Sequence, residues 1–171
     1  MKKIIWVNGL IGGSIVAVLM IASTFLSYGR ANYEASMALT YLGMLLAFSF
    51  AFVGVKSFRD THNSGKISFG KAFKIGFLIA FIASSVYVLV WLVEYYFFIP
   101  DFMEKYTAVM MKQFSQASHT AAEIKEKTAE MEMYKELYKN PIWVILMSYA
   151  EVLPIGIVLS LIAALVFKRK A

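Results

Sequence analysis

The chain of 171 residues contains no cysteine, only three prolines and only two histidines. Without cysteine it forms no disulfide, iron–sulfur cluster or thiolate zinc site, and it has no cysteine nucleophile. Charge is also scarce: 16% of residues are charged, against roughly 25% in an ordinary soluble domain. There is no His-Glu-x-x-His pair, no phosphate-binding glycine loop and no dinucleotide glycine fingerprint. Alternating ten-residue strands, the mark of a membrane β-barrel, are missing too. What the chain has in abundance is apolar surface. Sixty per cent of its residues are hydrophobic, including 14 Phe, 10 Tyr and 3 Trp, which excludes a disordered or collagen-like chain.

The apolar residues fall into four runs. Ile4 to Tyr28 and Ala35 to Val55 carry no charge, nor does Ile75 to Val93, whose apolar character continues past Glu94 to Ile99. Pro141 to Phe167 is interrupted only by Glu151. About 20 apolar residues suffice for a helix to cross a bilayer core, and a helix satisfies its own backbone there. The fold expected is therefore an all-α integral membrane protein. Its four transmembrane helices span about 4–28, 35–55, 75–99 and 141–167, in a single membrane domain covering residues 1–171. The first run follows Lys2 and Lys3 but lacks a small-x-small cleavage site, so it reads as a retained helix.

The net charge of +6 reflects membrane sidedness and does not point to nucleic acid. Lys2, Lys3, Lys56, Arg59, Lys66, Lys71, Lys74, Lys168, Arg169 and Lys170 would share one side with a single acid, Asp60. Arg30 and the six lysines between Pro100 and Asn140 would share the other, diluted by Glu34 and seven more acids. The positive-inside rule then places both termini in the cytoplasm. The partner implied is the lipid bilayer, and anionic headgroups would reinforce the basic loop Lys56–Lys74.

Within that loop, Thr61 to Gly65 has turn composition. Phe69, Phe73 and Phe77 then recur at spacing four on a helix entering the membrane, with Lys71 and Lys74 able to snorkel. The segment 100–140 has helical periodicity and is expected as an extracytoplasmic helical hairpin. Phe102, Tyr106, Val109, Met110, Phe114 and Ala117 form one stripe, and Ile124, Met131, Tyr134, Leu137 and Tyr138 a second. Thr120 and Glu123 fit a capping box, so the two helices should join near 116–120. Charge pairing on the second, judged from Glu123/Lys127 and Glu132/Glu136, is expected to be mixed. Pro141 suits the first position of the last span.

With spans and hairpin placed, the chain resembles the DUF4199 family, four-helix bacterial membrane proteins of unknown function common in Bacteroidetes. The resemblance rests on Gly54-Val-Lys-Ser-Phe-Arg-Asp60, Gly65-Lys-Ile-Ser-Phe-Gly-Lys-Ala-Phe-Lys-Ile-Gly76, Tyr138-Lys-Asn-Pro-Ile-Trp143, Glu151-Val-Leu-Pro-Ile-Gly156 and Ser160-Leu-Ile-Ala163. It covers nearly the whole chain. It implies a bacterial inner-membrane protein and brings no catalytic residues with it.

Glu151 is the residue most in need of explanation. Ten residues after Pro141 it lies about 15 Å along the helix, near the middle of a hydrocarbon core of about 30 Å. There it should face the bundle interior, be protonated, or meet a cation or donor. Thr40, Ser49, Ser84, Ser85 and Tyr87 are donors at a suitable depth, whereas Asn8 lies too near the other end. Pro154 frees the carbonyl of Ala150 and, with Gly156, would bend the helix into a polar or ion site. The alternative is a structural hydrogen-bonding post. Glu94, beside Tyr95 and Tyr96, reads either as an outer mouth for that site or as an interfacial carboxylate in an aromatic belt. Gly9 and Gly13, and Gly156 and Ser160, form small-x-x-x-small faces for helix packing, within the chain rather than between copies.

No metal or cofactor is expected. His62 and His119 are predicted on opposite sides. Met103, Met110, Met111, Met131 and Met133 suit packing better than copper(I). Glu94 and Glu151 lack a companion nucleophile, so an enzyme is not expected. Two readings remain: a scaffold or accessory protein binding a partner through its hairpin or helix faces, or an oligomeric proton- or cation-coupled transporter or channel subunit using Glu151. The partner could be another membrane protein or a second copy of the chain.

Overall fold

The computed structural model describes residues 1–27, 33–116 and 119–169. Arg30 and Lys170 of the charge count, and Ala117 and Ser118 of the expected interhelical turn, lie outside the described residues, as do Tyr28 and the side chain of Glu34. Among these residues six α-helices follow in order: α1 (Lys2–Ser27), α2 (Tyr33–His62), α3 (Phe69–Val93), α4 (Phe102–Gln116), α5 (Ala121–Tyr138) and α6 (Pro141–Phe167). A π-helical turn, Glu94–Phe98, extends α3. Among the described residues there is no β-strand, only a single antiparallel bridge between Ile67 and Arg169. Among the described residues, four segments are long and apolar enough to cross a membrane: Lys2–Phe25, Ala38–His62, Phe69–Phe98 and Pro141–Phe167. Among the described residues the fold is thus all-helical, and four helices of this length and composition suggest a multi-pass membrane protein.

Local chemistry sets the helix ends. Past α2, Ser64 and Gly65 take positive φ, 50° and 76°, a conformation glycine adopts without steric cost. The Gly65 amide returns to the Arg59 carbonyl at 2.9 Å. Asn140 accepts from the Ile142 amide at 2.9 Å, and Pro141 fills the first turn of α6, where its missing N–H costs nothing. Thr120 and Glu123 form the expected capping box, with the Glu123 carboxylate accepting from the Thr120 amide at 2.7 Å. The π-helical turn closes with the Ile99 amide on the Glu94 carbonyl at 2.9 Å. Pro100 follows, and a proline restricts its predecessor against helix.

The chain forms two compact units. The first comprises residues 1–90 and 149–171. Its core gathers Ile5, Val55, Phe58, Ile67, Ala72, Ile75, Ile79 and Ala164. That cluster brings the start of α1, the α2–α3 turn and the end of α6 to one end of the unit. The Ile67–Arg169 bridge ties the last two together, with amide–carbonyl distances of 3.2 and 2.9 Å. At the same end Arg59 binds Asp60 at 2.6 Å and lies 5.2 Å from the centroid of the Phe167 ring, while the Lys71 ammonium sits 4.9 Å above Phe58. The rings of Phe69, Phe73, Phe77, Phe81 and Tyr149 form a continuous ladder with centroids about 6 Å apart, a separation at which aromatic pairs attract.

The second unit spans 91–148. Its buried residues include Ile99, Met103, Thr107, Met131, Val144 and Ser148. The most buried positions of α4 are Met103 and Thr107, while Phe102, Tyr106, Val109, Met110 and Phe114 are only half-buried. The Thr107 hydroxyl donates to the Met103 carbonyl at 2.7 Å, so a polar side chain enters the buried face at little cost. On α5, Ile124 is exposed and Met131 alone is fully buried. Charge pairing on α5 and its C-cap is mixed in order: lysine precedes glutamate in Lys127–Glu130 and follows it in Glu132–Lys135 and Glu136–Lys139, at 2.6 to 2.9 Å. Glu123 pairs with no lysine because its carboxylate is committed to the cap.

Candidate functional site

α2 and α6 run parallel within the first unit. The Cβ position of Gly156 would lie 3.2 Å from the Phe48 ring, and Phe52 meets Phe167 edge to face at 6.2 Å. Near the other end of this contact, the Tyr41 hydroxyl is hydrogen-bonded to the Glu151 carboxylate. Glu151 lies three residues before the midpoint of α6, about 4.5 Å along the axis.

The pair is on the outside of the unit. Glu151 is exposed and Tyr41 is 47% exposed. Glu151 therefore does not face the interior, as one expectation had it; the donor it meets is Tyr41, next to Thr40 in sequence. The other anticipated partners are placed differently. Ser49 is exposed and donates to the Leu46 carbonyl at 2.6 Å. Ser85 accepts from the Tyr149 hydroxyl at 2.8 Å and donates to the Phe81 carbonyl at 2.8 Å. Ser84 and Tyr87 are buried, Thr40 is half-buried, and Asn8 donates to the Ile4 carbonyl. What pointed to Tyr41 was only its position near the start of the second span.

Pro154 is exposed and sits inside a continuous α6. Having no N–H, it leaves the Ala150 carbonyl without its usual donor, and Ala150 is exposed beside Glu151. A carboxyl, a phenol and a freed carbonyl therefore share one exposed patch. Leu42, Leu45 and Leu46 of α2 and Val158 and Leu161 of α6 are exposed on the same two helices. A carboxylate at the centre of a spanning helix costs about 2.5–3.5 kcal/mol on insertion, and one phenolic donor satisfies only part of its hydrogen-bonding capacity.

The small-residue faces are closed by the chain itself. Ideal Cβ atoms on Gly9 and Gly13 would lie 2.7 Å from the Cβ atoms of Ile82 and Val86 of α3. That on Gly156 would lie 2.8 Å from the Ala80 Cβ, and that on Gly76 3.1 Å from the Ser160 Cβ. Such approach lets backbones pack closely where lipid offers no hydrophobic drive between helices.

In the second unit, Glu94 is 4% exposed and opens the π-helical turn. Its side chain is buried within the protein. Tyr95, its neighbour, donates to the Tyr138 carbonyl at 3.3 Å and packs against the rings of Trp91, Phe102 and Tyr138. The π-helical turn left no trace in the apolar pattern; only Pro100 marked a helix end nearby. His62 stacks on Phe58 and His119 on Phe114. Among the described residues no three histidine or carboxylate side chains group as metal ligands.

The model of a family described as "Protein of unknown function (DUF4199)" matches residues 8–169. The chain belongs to that family. No curated protein and no solved structure matches it.

Proposed function

We propose that this DUF4199 protein is a non-catalytic accessory or scaffold protein of the bacterial inner membrane. It binds a partner through exposed helix faces or through an extracytoplasmic α4–α5 hairpin, and both its termini are cytoplasmic. The observation that carries the reading is the exposed Glu151 carboxyl, three residues before the midpoint of α6, with the exposed Tyr41 of α2 beside it. Polar groups on a lipid-facing helix surface favour association, because a neighbouring helix satisfies them and hydrocarbon does not. Measuring the protein's mass in nanodiscs of its native lipids tests this. A stable assembly larger than one chain is expected; a single chain with nothing bound, at every protein-to-lipid ratio, overturns it.

The same carboxylate favours a second reading, an oligomeric subunit that couples to a proton or cation. Four helices of one chain leave little room for a path, so the carboxylate would act between copies. Proton or cation flux into reconstituted vesicles, abolished by Glu151→Gln, is the outcome this reading requires. Equal flux in the two proteins removes it.

A further inference from the structure

We propose that the basic end of the first unit holds an anionic phospholipid, its phosphate bound by Lys56, Lys66, Lys168 and Arg169 around the Arg59–Asp60 pair. This rests on the membrane placement proposed above and adds a ligand to it. Three segments far apart in sequence supply the site. The backbone bridge between Ile67 and Arg169 holds the α2–α3 turn against the end of α6, and Lys66 and Lys168 flank that bridge in sequence. Lys56 comes from the end of α2; its charge acts on Asp60, as does that of Arg169. Lys56, Lys66, Lys168 and Arg169 are all exposed.

The chain does not balance these charges itself. Asp60, the one acid at this end, is taken by Arg59 at 2.6 Å. Among the described residues no ion pair joins Lys56, Lys66, Lys168 or Arg169 to a carboxylate. The second unit does the opposite: Lys105, Lys127, Lys135 and Lys139 each lie 2.6 to 2.9 Å from an Asp or Glu oxygen. Like charges gathered by a backbone bridge repel one another, and a phosphate relieves that repulsion while accepting from both the arginine fork and the ammonium groups. The surroundings favour a lipid over a free anion. Val53, one turn before Lys56, and Leu165, one turn before Lys168, are exposed, and a spacing of three puts each on the same helix face as its basic residue. The Lys168 amide still bonds the Ala164 carbonyl at 3.0 Å, so the helical turn reaches that far. Basic heads therefore adjoin exposed apolar surface at the ends of two spanning helices, which suits a molecule with a phosphate at one end and acyl chains at the other.

The chain in non-ionic detergent is titrated with phosphatidylglycerol or with phosphatidylcholine of the same acyl chains, and bound lipid is counted by native mass spectrometry. Phosphatidylglycerol should be retained about tenfold better or more, and excess inorganic phosphate should not displace it. Lys56→Gln combined with Arg169→Gln should weaken its retention about thirtyfold, the effect of two basic groups near an anionic surface. Lys56→Arg combined with Arg169→Lys should keep it, and Lys135→Gln combined with Lys139→Gln, in the second unit, should leave it unchanged. If the first pair fails to accumulate, Lys66→Gln with Lys168→Gln replaces it, with the same loss expected. Equal retention of the two lipids, or a preference that both glutamine pairs leave intact, overturns the site while membrane placement and partner binding stand. Displacement by inorganic phosphate overturns a lipid as the ligand. Release of the chain from native membranes by alkaline carbonate removes the membrane reading itself, and the lipid site with it.

Discussion

A methyl group placed on Gly12 would sit 2.5 Å from the carbonyl oxygen of Ala47. That obstacle is backbone on a neighbouring helix and cannot rotate away. Gly12→Ala should therefore force α1 and α2 apart and destabilise the fold by about 1–3 kcal/mol, the usual range for overpacking. Gly70, in the first turn of α3, has nothing within 4 Å of the same added atom. Gly70→Ala should be neutral or stabilising by up to about 1 kcal/mol, since alanine is the better helix former. Thermal unfolding of the two variants in one detergent checks the contrast; equal losses would contradict it. Residue identity made part of this legible, because glycines at spacing four announce close packing. Which helix each glycine meets depends on rotation about the helix axis, and near-uniform apolarity leaves that rotation unmarked. The same gap explains Glu151: its depth could be counted along the chain, but its exposed direction and its Tyr41 donor could not.

At the scale of elements, α5 holds the clearest local code. Its cap joins the Thr120 hydroxyl to the Glu123 amide at 3.3 Å and the Glu123 carboxylate to the Thr120 amide at 2.7 Å. Thr120→Ala should cost about 1 kcal/mol of α5 stability, seen as faster hydrogen exchange at the amides of Ala122 and Glu123. The Thr120 amide and hydroxyl hold the Glu123 carboxyl below its ordinary range, with His119 adding to the effect. A carboxyl depressed on folding stabilises above its unfolded pKa of about 4.3, and that contribution is lost as pH falls through the folded value. The first turn of α5 should therefore fray on acidification below about pH 4, and the Thr120→Ala variant should show less of this pH dependence. A capping box lies within four consecutive residues, so the sequence displays it whole. The π-helical turn at Glu94–Phe98 and the burial of Met103 and Thr107 are set by packing among distant segments, and local periodicity does not carry them.

Across the whole molecule, the charge pattern and the core of the first unit answer the same question independently. Lys2 and Lys3 adjoin Ile5, Lys66 adjoins Ile67, and Lys168 and Arg169 follow Ala164. The three apolar residues named belong to one core cluster at one end of that unit. The single acid there, Asp60, is bound to Arg59. So three separate basic segments, far apart in sequence, converge where the positive-inside rule requires them to, and the resulting excess charge should hold that end in the cytoplasm. Lys66→Cys and Glu126→Cys test the orientation, since both positions are exposed and the parent chain offers no competing thiol. In intact spheroplasts a membrane-impermeant maleimide should label Glu126→Cys and leave Lys66→Cys untouched until the membrane is opened. The reverse pattern would mean that the acidic residues of α4 and α5, not the basic end, set the topology. The α4–α5 segment would then meet partners in the cytoplasm, and any partner search would have to change sides with it.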